Sequence, residues 1–388
     1  MVIKLENFFL ALLGILARIV FILYRLLIIL LILTLLFSWP VYWFYGHTTL
    51  NLNWFYPLLI VAIVLLFATT KPAPPKDNPY RKYVGTGSFL NARIDEFIAW
   101  IGTLKYFTSP IVLVEDPGSY KIKGVEIREL IDGKLQPGDI LLRGYDGYID
   151  GVMIRHSGGA EGIGVYFSHA ALYLGELVDA DKSIAARRLE IQDESGLWIE
   201  ASEDDKEKVR NDPNYFQTGR QMVVHAMTKG VFIEDILTFL RCDYLIVLRL
   251  HDTIELDPSE LIEDKSLIME LPSDAEGIRL KLMNGESVNK DEIIEAVRRS
   301  ALGKIGSCYD FQFNDTKDYH RFSCSEFVYY CFKSIQCYLG LKLKMRGFLN
   351  LFFRRETITP SDIYEAAYIQ NKLEIVWQSN SLQQKNNP

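Results

Sequence analysis

Two long uncharged apolar runs near the N-terminus, Leu26 to Phe44 and Trp54 to Thr70, limit more than anything else what this chain can fold into. At about 1.5 Å of rise per residue, each approaches as a helix the ~30 Å hydrocarbon core of a bilayer. Trp39, Tyr42, Trp43 and Tyr45 close the first run, Trp54 and Tyr56 open the second, and the short loop Gly46 to Asn53 lies between them. Aromatic clusters on either side of such a loop suit an interfacial belt. Lys4, Arg18 and Arg25 precede the first run, Lys71, Lys76, Arg81 and Lys82 follow the second, and the loop has no lysine or arginine. By the positive-inside rule the pair is a transmembrane helical hairpin with both ends cytoplasmic. Phe8 to Tyr24 is apolar as well, but Arg18 would cost about 2.5–3.5 kcal/mol at a bilayer centre, so this stretch reads as an interfacial helix. A third span there would reverse the sidedness.

Much of the apolar content of the 388 residues therefore belongs to residues 1–70. Roughly 250 residues remain for one domain with a sizeable core. The net charge of −7 argues against nucleic acid as a partner, since no basic domain supplies phosphate attraction. Cys242, Cys308, Cys324, Cys331 and Cys337 form no C-x-x-C pair and no zinc-ligand spacing. The expectation is a reducing compartment with no metal and no cofactor.

Pro72, Pro74, Pro75 and Pro79 mark a stiff exit linker, and Phe89, Leu90, Ile94, Phe97, Ile98, Ile101 and Leu104 recur along one helical face, so residues 71–125 read as linker and amphipathic helix. From Gln136 the pattern turns to short strands. Pro137-Gly138-Asp139 is a turn into Ile140–Arg143, and Ser168–Leu174 is a second strand. Arg188–Gln192 and Leu197–Ala201 suit a hairpin, followed by strands at Gln221–Ala226 and Tyr244–Leu250 with a short helix, Ile233–Leu240, between them. Asp291–Leu302 and Ser323–Ile335 have helical period, Asp257–Asn289 reads as an acidic inserted loop, and residues 373–388 as a polar tail, disordered after Trp377. Strands followed by helices imply an α+β domain with a small antiparallel sheet.

Two segments carry candidate chemistry. In Phe322-Ser323-Cys324-Ser325-Glu326, Ser323 and Glu326 form a capping-box pattern that puts Cys324 in the first turn of a helix. There the free backbone N–H groups and the helix dipole favour a thiolate. A buried small hydrophobe is the bland alternative for any free cysteine, and Cys331 and Cys337 fit it. His169 opens the apolar strand Ser168–Leu174, after the glycine-rich stretch Ser157 to Gly164; it is a candidate base, or else a hydrogen-bonded core residue. A third group must hold that imidazole in one tautomer. His225 in Val223-Val224-His225-Ala226 and Glu200 in Trp198-Ile199-Glu200-Ala201 both have strand settings that suit the role.

Taken in order, Leu135 to Leu142, Ser168 to Gly175, Gly306 to Phe311, Phe322 to Val328 and Ile358 to Ile363 resemble the circularly permuted NlpC-type papain-like hydrolases, the YaeF/YiiX group. These are related to lecithin retinol acyltransferase-like proteins. In that family the histidine strand precedes the cysteine helix, as here. The resemblance implies a papain-like hydrolase domain over residues 126–372, with Cys324 as nucleophile, His169 as base and His225 as third residue, Glu200 being the alternative. It implies a cysteine amidase or peptidase working through an acyl-enzyme thioester, on peptide, amide or lipid-ester substrates. The hairpin adds the lipid bilayer as a partner and an integral-membrane location, of a bacterial inner membrane with the hydrolase domain cytoplasmic. Tyr338 to Arg355, mixing basic and apolar residues, suits either an anionic lipid surface or a core element with a basic edge, and the former leans toward lipid acyl hydrolase or acyltransferase chemistry. A non-catalytic binding module is the competing class.

Overall fold

The computed structural model describes residues 104–108, 111–115, 120–148, 162–193, 197–254, 273–311, 319–348, 353–368 and 371–386, with isolated positions at 80, 151 and 154; of 312–318 only 313 and 316 are included. The expected transmembrane hairpin, and the amphipathic helix up to its last residue, lie outside these. Among the described residues no helix is long and apolar enough to cross a membrane.

The elements run as follows. A hairpin of β1 (Leu104–Thr108) and β2 (Ile111–Glu115) is followed by helix α1 (Gly124–Ile131), β3 (Ile140–Gly144) and β4 (His169–Leu177). Next come β5 (Glu190–Gln192), β6 (Trp198–Glu200), helix α2 (Glu203–Asn211), β7 (Gly219–Met227), β8 (Gly230–Asp235), helix α3 (Ile236–Phe239), β9 (Tyr244–Leu250) and β10 (Thr253–Ile254). Helix α4 (Ser273–Met283), β11 (Val288–Asn289), helix α5 (Lys290–Gly303), β12 (Cys308–Tyr309) and β13 (Arg321–Phe322) lead to helix α6 (Cys324–Cys331). The chain ends with β14 (Lys344–Phe348), β15 (Phe353–Thr357), helix α7 (Pro360–Tyr368), β16 (Leu373–Gln378) and helix α8 (Asn380–Asn386).

The result is an α+β domain around a six-stranded antiparallel sheet ordered β16-β9-β3-β4-β7-β8. Side chains alternate between its faces, and each face has its own core. Ile140, Leu142, Ala170, Leu172, Val224, Ile246 and Leu248 join Ala296, Val297, Phe327 and Val328 of α5 and α6 in one. Leu141, Ala171, Tyr173, Val223, Leu245 and Val247 join Leu130, Ile236 and Phe239 of α1 and α3 in the other. The turn into β3 is closed locally: Asp139 Oδ2 accepts from Gln136 N at 2.7 Å, and Gly138 N–H donates to Tyr173 O at 2.8 Å. Gly138 has φ +89°, a left-handed conformation that costs glycine nothing. Arg249 of β9 then grips Asp139 with two bonds, 2.7 and 2.8 Å.

Several expectations change. Ile233–Leu240 is not one helix: Gly230–Asp235 is the edge strand β8, and only Ile236–Phe239 is helical, capped by Asp235 Oδ1 accepting from Leu237 N at 2.8 Å. The apolar residues here pack against both a strand neighbour and the sheet face, so their spacing mimics a helix. Asp257–Asn289 contains helix α4, and Leu104 begins a strand. Residues 373–386 are not a loose tail. Strand β16 pairs with β9, and α8 docks through buried Leu382, with Ser381 Oγ donating to Asp243 O. Tyr338 to Arg355 contains β14 and most of β15, two strands of one hairpin.

Candidate active site

The capping box written in the sequence is present. Glu326 N–H donates to Ser323 Oγ at 3.4 Å and Ser323 N–H to Glu326 Oε2 at 3.0 Å, which starts α6 at Cys324. Thr357 Oγ1 donates to Glu326 Oε1 at 2.9 Å, so the same carboxyl ties α6 to β15. Burial, then the neighbouring Asp310, pushes Glu326 up to about 8.

Cys324 is 3% exposed. Its sulfur lies 3.7 Å from Ser325 Oγ, and the nearby backbone of Ala170, the residue after His169, favours its charged form. The register of β4 with β7 runs from Leu172↔Val224 to Leu177↔Gly219, whereas β4 pairs with β3 up to Arg143↔His169. Cys324 thus meets β4 beyond the start of its pairing with β7, from the layer of α5 and α6. Burial raises the thiol pKa, more than the Ala170 and Ser325 hydrogen bonds lower it. This corrects the thiolate expected at a helix N-terminus: desolvation of the charged form outweighs the local dipoles.

His169 and His225 come together. His169 Nε2 is 2.7 Å from His225 Nδ1, with the rings nearly perpendicular at 84°. Both rings touch Phe239 of α3, at centroid distances of 6.0 and 5.4 Å, so they approach from the layer opposite the cysteine helix. Among the described contacts none joins the Cys324 sulfur to the His169 ring. Glu200, the alternative third residue, sits on the separate β5–β6 hairpin, exposed and bonded to Lys206 Nζ at 2.6 Å.

Two charged residues absent from the sequence reading complete the cluster. Glu234 of β8 places Oε1 3.1 Å from His225 Nε2, off the line of a well-formed hydrogen bond. Arg143 of β3, paired across the ladder with His169, lies 3.9 Å from Glu234 Oε1; its guanidinium donates to Phe239 O at 2.7 Å and stacks 4.0 Å over the Phe239 ring. Burial, then Arg143 and His225, holds His169 well below the usual histidine range. Burial lowers His225 too, against the pull of Glu234. Burial works to raise Glu234, but His225, Arg143 and Lys229 together bring it below the ordinary carboxylate value. The resting cluster is therefore a neutral thiol, two neutral imidazoles and a compensated carboxylate–guanidinium pair. The signal for Glu234 was the Thr228-Lys229 turn after β7 and the Gly230 that follows it, which makes Gly230 to Asp235 the returning strand of a hairpin.

Among the described residues no group of histidine, cysteine, aspartate or glutamate could hold a metal ion. Comparison with protein-family models, curated proteins and solved structures finds no match to this chain.

Proposed function

We propose that this chain is a membrane-anchored cysteine hydrolase of the circularly permuted papain-like type, with Cys324 as nucleophile, His169 as proton carrier and His225 as its orienting partner. The observation that carries this reading is the 2.7 Å His169–His225 contact on the strand whose next residue, Ala170, meets the Cys324 sulfur. The order of histidine strand before cysteine helix, shared with the resembled family, supports it.

With thiol and imidazole both neutral at rest, the chemistry is general-base catalysis. His169 takes the thiol proton as sulfur attacks a carbonyl carbon, and the backbone N–H of Cys324, in the first turn of α6, faces the developing oxyanion. The imidazolium then protonates the leaving amine or alcohol, leaving a thioester that water or another acceptor resolves. The resemblance favours an amide or peptide bond. The N-terminal apolar runs favour substrates at a bilayer, including lipid esters, and their charge pattern favours a cytoplasmic domain; the resembled group favours a bacterial inner membrane. An impermeant lysine-biotinylating reagent on sealed vesicles of both orientations reads that sidedness.

Alkylation of the detergent-extracted chain with a small thiol probe between pH 5 and 9 tests the site. Labelling of Cys324 should climb with pH, because burial holds the thiol up, and should slow on His169→Ala. Equal rates at Cys324 and the buried Cys242 and Cys331, with no effect of His169→Ala, would overturn the enzyme. A binding module that keeps the fold would then lead, a reading that the 3% exposure of Cys324 favours.

A further inference from the structure

Resting on that reading, we propose that Glu234 is a fourth member of the site, a positioning residue that dictates through His225 which nitrogen of His169 is free to take the Cys324 proton. Atom identities carry the argument. Glu234 Oε1 lies 3.1 Å from His225 Nε2, though off the line of a formed hydrogen bond, and since a carboxylate only accepts, it favours the proton of His225 on Nε2. A neutral His225 with Nε2–H has a bare Nδ1, which accepts at 2.7 Å from His169 Nε2. His169 then carries its own proton on Nε2, and Nδ1 holds the lone pair. In the proposed reaction the Cys324 S–H proton passes to His169 Nδ1 once the two groups are brought within reach; the positive charge is left on the imidazolium, which still donates through Nε2 to His225.

Charge gives Glu234 a second task. Arg143 stands opposite His169 in the ladder, and Lys229 places Nζ 3.5 Å from the Phe232 ring that packs on His225. Both cations oppose an imidazolium. Glu234 is the anion that faces this group, 3.9 Å from Arg143, and it offsets them as the charge forms.

Two measurements on the detergent-solubilised full chain test the proposal. Nitrogen NMR of the 15N-histidine-labelled protein, assigned with His169→Gln and His225→Gln, should show both rings protonated on Nε2. A His225 or His169 ring protonated on Nδ1 in the parent overturns the proposal. Glu234→Gln, whose amide both donates and accepts, should mix the tautomers and slow His169-dependent alkylation of Cys324 by on the order of ten- to a hundredfold. Glu234→Asp should restore much of the rate, which repair of mere packing would not predict. Unchanged tautomers and an unchanged pH–rate profile in a folded Glu234→Gln overturn it. If Cys324 in the parent shows no dependence on His169, the hydrolase reading fails by itself, and the tautomer spectrum still decides the role of Glu234.

Discussion

Gly144→Ala should damage both stability and site, through one contact. Gly144 ends β3 beside the segment that leads to His169, and a Cβ built on it would lie 1.7 Å from the backbone oxygen of Tyr166 and 2.9 Å from its carbonyl carbon. Real Cβ contacts essentially never fall under 3.0 Å, so the backbones must part by about 1.3 Å at least. Strand β3 cannot yield easily, being paired to β4 on one side and β9 on the other. The far segment is pinned too: Ser168 N–H donates to Arg143 O at 3.0 Å, Ser361 Oγ to Gly164 O at 2.9 Å, and Phe167 packs on Tyr364. Overpacking against backbone belongs at the upper end of the usual range, about 3 kcal/mol, which for a slope of about 3 kcal/mol/M lowers a urea midpoint by roughly 1 M. Displacement of His169 by about 1 Å should also cost on the order of a hundredfold in His169-dependent Cys324 alkylation. Pulse labelling of the buried Cys242 and Cys331 across a urea series reads the unfolding directly. Gly124→Ala is the control, since its Cβ would meet nothing within 4 Å. A Gly144→Ala protein with the parent's midpoint and the parent's alkylation rate would refute the claim that this approach seats His169.

The buried carboxyl of Glu326 predicts a pH effect: folded, it keeps its proton up to about 8, against an ordinary value of 4.5. The folded state therefore binds more protons between those values, and its stability from this group falls as pH rises from about 4.5 through about 8. Glu326→Gln removes the slope and should gain on the parent by roughly 2 kcal/mol or more between pH 5 and pH 8.5; parallel urea midpoints at both pH values would contradict this. Leu382→Ala, at a fully buried side chain of α8, should cost about 2–4 kcal/mol, and a neutral result would mean that α8 does not dock. Asp139→Asn breaks a buried bidentate pair with Arg249 and should lower stability by about 3 kcal/mol, visible as a shifted urea midpoint; no shift would show that the pair contributes nothing net.

The parts of the fold legible in sequence were those set by local physics. The Pro137-Gly138-Asp139 turn, the Ser323–Glu326 capping box and the strands at Ile140, Ser168, Gln221 and Tyr244 depend on φ preference, short-range hydrogen bonds and runs of apolar residues, and each is found. The β5–β6 hairpin was legible for the same reason. What depends on distant pairing was not. Strand β8 reads as helix because Ile233, Ile236 and Phe239 fall at helical spacing, yet the first packs in one core and the other two in the second. Misreading β8 hid Glu234, and nothing local in Ile140–Gly144 says that Arg143 will stand opposite a histidine. Strand β16 and α8 are polar enough to pass for a tail; pairing with β9 and one buried leucine order them. His225 was legible as a strand residue, while its contact with His169 and the placing of Glu200 on a separate hairpin follow from strand pairing. The state of Cys324 was misjudged because a dipole is a local property and desolvation is not.

Were Cys324 to turn over as proposed, the backbone amide of Ala170 would sense it. That amide lies beyond the register of β4 with β7 and near enough to the sulfur to favour its charged form. Acylation or alkylation would remove the charge that the amide can serve. Its exchange with solvent deuterium should then be slower with Cys324 free than with Cys324 occupied, so that one position of the sheet would record the state of its neighbour.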